Sequence, residues 1–387
     1  MTDDPTGGGP PAGGPPAGGP RRIVVIGTGL IGTSVALAMR ERGGQVWLAD
    51  RDPAAAQLAA EIGAGTVLPP GGTPGGQADL AVLAVPPEAV APALAGAQGQ
   101  GLARCYTDVG SVKGHALAQA RALGCDLAAF VPGHPLSGRE RSGPAAARAD
   151  LFLGRPWVLC PEAGTSEEAV GMVLALVQAC GAEPVRIGAD DHDRWVALVS
   201  HAPHVVSAAM AAQLEDAAPG ALHLAGQGLR DVTRIAAGDS ALWTQILAAN
   251  AGPVAKVLAA LAADLAAAAE ALEEAAAENP PEITAAAAAI KPVTALLDQG
   301  AAGVARIPGK QGRAARRETV VQVVIRDVPG ELARLFEAAG RAGVNIEDIG
   351  IEHSPGLPVG VAELTVHPEA AAALTAALAA GGWPVRG

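Results

Sequence analysis

Short β-branched runs alternate with Ala-rich helical stretches over residues 21–188. The runs are Ile23–Ile26, QVWLAD (45–50), DLAVLAVP (79–86) and ARCYTDVGS (103–111), and AAFVPGH, RPWVLCP and EPVRI (183–187) follow them. Strands that alternate with helices are typical of a parallel sheet with helices on both faces. We therefore expect residues 21–188 to form a Rossmann-type, doubly wound α/β domain.

The pattern changes in the rest of the chain. Residues 189–298 lack strand signals and carry Ala, Leu and Val at helical spacing, which predicts an all-helical domain. Residues 299–318 are Gly-rich and basic and indicate a linker. Residues 319–387 predict the element order βαββαβ, the ferredoxin-like plan. Residues 1–20 are a Gly/Pro repeat with no apolar run, and we expect a disordered tail.

The charge and the apolar segments of the chain indicate which classes of binding partner to expect. The net charge of −12 argues against a nucleic-acid or anionic-membrane partner, because both require a basic surface. The most membrane-like stretch, residues 257–277, is interrupted by Asp264, Glu270, Glu273 and Glu274, which indicates a soluble alanine helix. The N-terminus does not have the pattern of a signal peptide. We therefore expect a cytoplasmic protein that acts on a small molecule.

A glycine loop follows the first predicted strand. GTGLIG places Gly27, Gly29 and Gly32 at the GxGxxG spacing, and Asp50 ends the next strand. In a strand–turn–helix context this is the dinucleotide fingerprint, with the pyrophosphate at the helix N-terminus and the acid on the adenine ribose. Asp50 would repel a 2′-phosphate and so favours NAD over NADP, although the adjacent Arg51 weakens that preference. The alternative is a tight βα turn without a ligand.

A histidine lies on a rigid turn in VPGHPLSGRE. His134 is flanked by Gly133 and Pro135 and follows a predicted strand, while TDVGSVKG brings Asp108, Ser111 and Lys113 to the end of another. The carboxyl ends of the strands in a doubly wound sheet face the ligand crevice, so these groups can converge beside a nicotinamide. A neutral imidazole there can accept a hydroxyl proton while hydride leaves the same carbon. The alternative is a turn histidine bonded to backbone.

The predicted helical domain adds two further groups of polar residues. His201 and His204 are three residues apart and share a helix face, and Pro203 between them predicts a kink. Their spacing could suit a metal, but no HExxH pattern or carboxylate partner supports one, so we expect no metal site. Asp231 and Arg234 also lie three apart; the guanidinium suits a carboxylate ligand, and a surface ion pair is the alternative.

Taken in order, several motifs resemble those of the prephenate dehydrogenase family. They are GTGLIGTSVALAM, TDVGSVK, GHPLSGRE, SHAPHVVSAA and GLRDVTRIAAGDSALW, and the resemblance runs from about residue 21 to about residue 298. The tail, IRDVPGELARLFEAAGRAGVNIEDIGIE, resembles an ACT domain, a module that some members of the family carry.

The resemblance implies a reaction and a set of roles. Hydride would leave C4 of prephenate for NAD, the 4-hydroxyl would lose its proton, and the ring carboxylate would depart as CO2, giving 4-hydroxyphenylpyruvate for tyrosine biosynthesis. His134 would bond the hydroxyl, assisted by Ser111, while Arg234 would hold the ring carboxylate and His204 the pyruvyl arm. The pocket would include Glu140 as a gate, with Ser200, His201, Asp231 and Trp243 nearby. The cofactor would contact Gly27, Thr28, Gly29, Leu30, Ile31, Gly32, Asp50, Val85 and Ser111.

The resemblance also implies an assembly and a regulator. The helical domain would form a homodimer, and Trp243 would reach the partner's site. The tail would bind an aromatic amino acid, with tyrosine as the expected ligand, near Asp327, Pro329, Gly330, Asn345 and Ile346. A tail that only aids oligomerisation is the alternative, because regulation requires two coupled sites.

Three other functions stay open at this point. Arogenate carries an amino acid arm where prephenate has a pyruvyl arm, and the histidines at 201 and 204 favour prephenate. A hydroxy-acid or imine dehydrogenase could share the Rossmann-plus-helices plan, but the loop around His134 and the Arg234 helix speak against it. A non-catalytic sensor could bind NAD through one domain and an amino acid through the other.

Overall fold

A six-stranded parallel sheet is the centre of the N-terminal unit. The computed structural model describes residues 19–137, 143–277, 290–307, 319–353 and 358–386. The strands are β1 (Arg22–Ile26), β2 (Gln45–Ala49), β3 (Thr66–Val67), β4 (Ala78–Leu83), β5 (Ala103–Asp108) and β6 (Phe130–Val131). Their order is β3-β2-β1-β4-β5-β6, and every neighbouring pair is parallel. The order reverses between β1 and β4, the switch point at which such sheets bind nucleotides.

Helices cover both faces of this sheet, which confirms the predicted Rossmann-type domain. They are α1 (Leu30–Glu41), α2 (Pro53–Glu61), α3 (Val90–Gly99), α4 (Gly114–Ala122) and α5 (Glu167–Ala179). Apolar side chains of α1 and α5 pack in one core on one face, and those of α3 and α4 pack in a second core on the other. Strands buried on both faces are expected to be continuously apolar, as the Val- and Leu-rich runs of β1 and β4 are.

The later strands differ from the prediction of a single parallel sheet. β7 (Gly133–Pro135), β8 (Pro156–Leu159) and β9 (Glu183–Arg186) form a separate three-stranded sheet in which β7 and β8 are antiparallel. Pro132, which has no N–H to donate, separates β6 from β7, and its carbonyl accepts the N–H of Cys160 at 2.8 Å. His134 therefore lies within a strand, opposite Val158, rather than on a turn after one.

The region after residue 188 is helical, as predicted. It contains α6 (Ala189–Val196), a π-helical turn (Ala197–His201), α7 (Ala202–Ala212), α8 (Pro219–Leu222), α9 (Gln227–Thr233), a 3-10 turn (Arg234–Ala237), α10 (Ser240–Ala249) and α11 (Ala251–Ala277). The π-helical turn lies where the sequence predicts a kink. Pro203 has no N–H for the carbonyl of Val199, and the wider turn accommodates this loss.

The described residues divide into two compact units between residues 260 and 261. The C-terminal unit contains the end of α11, then α12 (Lys291–Val304), β10 (Thr319–Arg326), α13 (Glu331–Arg341), β11 (Ile346–His353), β12 (Val359–Val366), α14 (Pro368–Ala380) and β13 (Val385–Arg386). From residue 319 the order is βαββαβ, and the four strands form an antiparallel sheet in the order β11-β12-β10-β13. α12 includes residues 299–304, which were predicted as the start of the linker; Ala301 and Ala302 favour a helix there despite two glycines.

One continuous helical stretch, Ala189–Ala212, is long and apolar enough to cross a membrane by length and composition, and α10 with α11 passes the same test as a pair bent by 97°. The first stretch carries the buried polar residues His192, Asp193, His201 and His204. Buried polar side chains with partners in the protein are typical of a core helix. The cytoplasmic location stays a prediction.

Candidate active site

The glycine loop closes tightly between β1 and α1. Gly27 has φ +98°, and a Cβ atom at this position would lie 2.2 Å from the carbonyl oxygen of Ala84. A Cβ on Gly32 would lie 2.0 Å from the carbonyl oxygen of Gly27. Gly29, in contrast, is exposed and has open space beside it. The loop thus leaves room for a phosphate at the N-terminus of α1, and its residues fit a dinucleotide.

Asp50, which was predicted to bind the ribose, also holds the glycine loop through hydrogen bonds. Its Oδ2 atom accepts the backbone N–H of Thr28 at 2.6 Å and the Thr28 hydroxyl at 2.9 Å, while Oδ1 accepts the N–H of Asp52 at 2.9 Å. The carboxylate therefore fixes the shape of the glycine loop from the end of β2. Asp50 is half-buried, so it can reach both this loop and a ribose beside it.

A buried ion pair ties the ends of β5 and β7 together. The ammonium group of Lys113 is fully buried, bonds to Oδ2 of Asp108, and donates to the carbonyl of Gly133 at 2.6 Å. Oδ1 of Asp108 accepts the N–H of Gly133 at 3.1 Å. Because buried charges need such partners, this pair holds the segment before His134 against the loop that carries Ser111.

His134 is half-buried and has its Nδ1 atom 2.9 Å from Nε2 of His192. Burial, together with the charges of Lys113, His192 and His201, lowers the pKa of His134 well below its usual range. The imidazole is therefore neutral at neutral pH. A neutral imidazole with one nitrogen engaged by the protein keeps the other nitrogen for a substrate.

His192 and Asp193 were missed in the sequence. Nδ1 of His192 lies 2.8 Å from Oδ1 of Asp193, which also accepts the N–H of Lys113 at 2.9 Å; Oδ2 accepts the N–H of Gly114 at 2.8 Å. Burial alone would raise the pKa of Asp193, but these hydrogen bonds and the charge of His192 lower it overall. Nothing in GADDHDRW distinguishes these residues from the acids usual in a first helical turn.

The predicted histidine pair meets a tryptophan and an asparagine. The ring of His204 stacks on Trp243 with centroids 3.6 Å apart, and His201 contacts the same ring edge-on at 6.1 Å. The amide of Asn250, also missed in the sequence, donates to Nδ1 of His201 at 3.0 Å and to the carbonyl of Asp193 at 2.8 Å. Burial lowers the pKa of His201 to about 4. Both histidines therefore belong to one packed cluster.

The Asp231–Arg234 segment differs from the predicted regular helix. α9 ends at Thr233, and Arg234 begins a 3-10 turn that packs against α7, the helix that carries His204. Oδ1 of Asp231 accepts from Gln227 at 2.7 Å. Arg234 is exposed, so its guanidinium is accessible to a ligand carboxylate on the His204 side of the domain.

The remaining predicted site residues are spread over both parts of the N-terminal unit. Ser111 is half-buried in the loop after β5, Val85 is half-buried just after β4, and Leu30 and Ile31 begin α1. Ser200 is exposed in the π-helical turn. Glu140 lies outside the described residues. Within the described ranges, no three His, Cys, Asp or Glu side chains come together as a metal site.

Comparison with known proteins decides the family. Residues 35–186 match the family described as prephenate dehydrogenase, nucleotide-binding domain, and residues 188–284 match its dimerization domain. The probable prephenate dehydrogenase NovF of Streptomyces niveus is 42% identical over 369 residues, which cover 94% of this chain and 99% of that protein. The chain belongs to the prephenate dehydrogenase family. The predicted NAD-dependent oxidoreductase is confirmed with it.

Two solved structures share the fold. The arogenate dehydrogenase of Synechocystis aligns with a TM-score of 0.56 and 26% identity over 73% of this chain and 98% of that one. Prephenate dehydrogenase from A. aeolicus, in complex with hydroxyphenyl propionate and NAD+, aligns with a TM-score of 0.60 and 23% identity over 73% and 97% of the two chains.

The buried, neutral His201 predicts a specific dependence of stability on pH. Its folded pKa of about 4 lies below the ordinary value of 6.5, so the unfolded chain binds more protons between these values. The contribution of His201 to the free energy of unfolding is complete at pH values above 6.5. It is lost as the pH falls through the folded-state pKa, by about 3 kcal/mol in total. In urea unfolding, His201→Asn should lose less stability than the wild type between neutral pH and about pH 4.5. Equal losses in the two proteins would contradict the assignment.

Proposed function

We propose that the enzyme catalyses the NAD-dependent oxidative decarboxylation of prephenate to 4-hydroxyphenylpyruvate. The observation that carries the proposal is the neutral, half-buried His134, whose Nδ1 atom lies 2.9 Å from Nε2 of His192. This contact keeps the second ring nitrogen, Nε2, for a substrate. Nε2 of His134 accepts the proton of the 4-hydroxyl. Loss of the hydride gives a carbonyl at C4, the bond to the ring carboxylate then breaks to release CO2, and its electron pair makes the ring aromatic. The phenolate oxygen takes the proton back from His134 to give the 4-hydroxyl of the product. Bound NAD supplies the acceptor for the hydride of C4.

The residues of the glycine loop hold the cofactor in this proposal. The N–H groups at the start of α1 face the pyrophosphate across Gly29, where the structure leaves open space. Asp50 binds the adenine ribose while it fixes Thr28. The remaining contacts come from Gly27, Leu30, Ile31, Gly32, Val85 and Ser111, and Ser111 also assists His134.

The substrate lies over the cluster formed by His204 and Trp243. Arg234 binds the ring carboxylate, since a planar guanidinium matches a carboxylate with two parallel hydrogen bonds. His204, whose pKa burial lowers, is a neutral donor to the pyruvyl arm, and its stack on Trp243 fixes the direction of that bond. Ser200, His201 and Asp231 complete the pocket.

The choice of prephenate over arogenate is supported by the relative that matches 94% of the chain, a probable prephenate dehydrogenase. The arogenate dehydrogenase of Synechocystis supports the fold and shares only 26% of its residues. Neutral histidines at 201 and 204 suit a keto acid arm better than an ammonium group, which would require an anionic partner.

We also propose a homodimer formed by the helical region. Support comes from the match of residues 188–284 to a dimerization domain. The helices there leave large apolar side chains exposed, including Trp195, Leu198, Val199, Val206 and Met210. Apolar patches of this kind on a soluble protein mark association surfaces.

Residues 319–387 are proposed to be an ACT domain that binds tyrosine. Support comes from the βαββαβ order and from the turn after β10, where Gly330 has φ +88° and immediately precedes α13. Glu331 beside it is buried and accepts from the indole N–H of Trp383 at 2.9 Å, which fixes the turn to the C-terminal end of the chain. Asp327 and Pro329 lie in this turn, and Asn345 and Ile346 lie at the start of β11. The turn is thus a rigid and exposed platform for a ligand.

Substitution of His134 tests the catalytic proposal. His134→Ala removes the proton acceptor, so kcat with NAD and prephenate should fall by about a hundredfold or more, while the Kd for NAD stays unchanged. Formation of NADH measures turnover, and His223→Ala, at an exposed position of the helical region, is the matched control. Turnover of arogenate but not prephenate would reassign the substrate. Wild-type protein that binds NAD but turns over neither compound would support a sensor instead.

Tyrosine titrations test the regulatory proposal in the full-length chain. If the site lies in the turn after β10, tyrosine should lower the rate without competing with prephenate. Asp327→Ala and Asn345→Ala should each abolish this inhibition and leave kcat unchanged, while Glu369→Ala on the exposed side of α14 should keep it. Inhibition that competes with prephenate and survives both substitutions would place tyrosine in the active site and contradict the proposal.

A further inference from the structure

Two hydrogen bonds connect a buried carboxylate to His134. Oδ1 of Asp193 lies 2.8 Å from Nδ1 of His192, and Nε2 of His192 lies 2.9 Å from Nδ1 of His134. The rings of His192 and His134 meet edge-on, at an interplanar angle of 76° and a centroid distance of 5.1 Å. His192 is fully buried, and Asp193 nearly so. The three side chains thus form a continuous chain that ends at the proposed proton acceptor.

Asp193 determines which atom donates and which accepts in each of these two hydrogen bonds. An ionised carboxylate can only accept hydrogen bonds, and Asp193 already accepts two backbone N–H groups, from Lys113 and Gly114. Nδ1 of His192 must therefore carry the proton that points at Oδ1. A neutral His192 then has its lone pair on Nε2, so Nδ1–H of His134 is the donor in the second bond. The lone pair of His134 consequently lies on Nε2.

We propose that His192 and Asp193 are positioning residues, which fix His134 as the tautomer with a free Nε2 lone pair and balance the charge that it acquires. The inference rests on the proposed function of His134 as the proton acceptor. When Nε2 of His134 takes the hydroxyl proton, the O–H bond breaks and an N–H bond forms. The resulting imidazolium can pass its Nδ1 proton towards Nε2 of His192, beside the anionic Asp193.

The other charged groups around His134 show why a counter-charge is required. The charge of Lys113 opposes a positive charge on His134, and Asp108 is engaged by Lys113 in a buried pair. Asp193 is linked to His134 through His192 and is the anion that can offset the imidazolium. Without it, the transition state would place a cation in a buried site next to another cation.

Substitutions at His192 test the tautomer. His192→Gln keeps an amide oxygen that can accept from His134 while its NH2 group donates to Asp193, whereas His192→Leu keeps neither. We expect kcat to fall by about a hundredfold or more in His192→Leu and by about tenfold in His192→Gln, with KM and the Kd for NAD unchanged in both. Partial rescue by glutamine separates positioning from packing. Equal losses in the two variants, or no loss in either, would overturn the proposal.

Asp193→Asn tests the charge. The amide oxygen of asparagine can still face Nδ1 of His192 and the N–H of Lys113, so the tautomer is retained, while the anion and the hydrogen bond from the N–H of Gly114 are lost. The protonated, inactive form of His134 is then less stable, so the acid limb of kcat should move to lower pH while the plateau falls by about tenfold. An acid limb and plateau identical to the wild type would contradict the charge-balancing role. If Asp193→Asn does not fold, the His192→Gln and His192→Leu variants test the positioning proposal.

Nitrogen NMR of the resting enzyme separates this inference from the proposed function. The chain has eight histidines, so 15N-histidine signals can be assigned by single substitutions in the full-length protein. We expect His134 to carry its proton on Nδ1 in the wild type and in His192→Gln, and to lose this preference in His192→Leu. A proton on Nε2 of His134 in the wild type would overturn the positioning role of His192 and Asp193, whatever the substrate. Failure to oxidise prephenate, with the expected tautomer present, would overturn only the function.

Discussion

The carboxylate of Asp193 joins the two parts of the candidate active site. It lies on α6, the first helix after the Rossmann-type domain, and accepts two backbone N–H groups at the start of α4, within that domain. The same group holds His192, and its backbone carbonyl accepts from Asn250. A buried carboxylate with three such bonds, on a residue whose backbone carbonyl accepts a fourth, is costly to displace. The positions of His134, His201 and Trp243 relative to the cofactor loop all depend on this junction.

The parallel strands, the glycine turn and the candidate catalytic histidine were predicted from short stretches of the sequence. The β-branched runs give the parallel strands, GTGLIG gives the turn between β1 and α1, and His134 stands out because Gly133 and Pro135 flank it. The separate sheet of β7, β8 and β9 was not predicted, because the break at Pro132 and the antiparallel pairing with β8 depend on residues far apart in sequence. His192 was missed for a similar reason: only the fold brings its ring to His134, 58 positions away.

The candidate active site lies in the N-terminal unit, and the C-terminal unit has a core of its own. Charged and titratable groups of the candidate active site lie in the N-terminal unit, near strand ends, on α6 and α7, and in the π-helical and 3-10 turns. The C-terminal unit has its own apolar core of Val, Leu and Ala residues around an antiparallel sheet. A separate core is what a module that is gained or lost as a unit requires. The prephenate dehydrogenase family models match residues 35–186 and 188–284, which reach into the start of the second unit, and the ACT proposal covers residues 319–387.

The central claim is that Nε2 of His134 takes the hydroxyl proton of a ring whose carboxylate is bound by Arg234. A crystal structure of the full-length enzyme with NAD and a bound 4-hydroxyphenyl product analogue tests it most directly. The account predicts Nε2 of His134 about 2.6–3.2 Å from the ring hydroxyl oxygen, with the guanidinium of Arg234 on the opposite end of the same ring. A hydroxyl bound away from His134, or one that faces Nδ1 in place of His192, would contradict it.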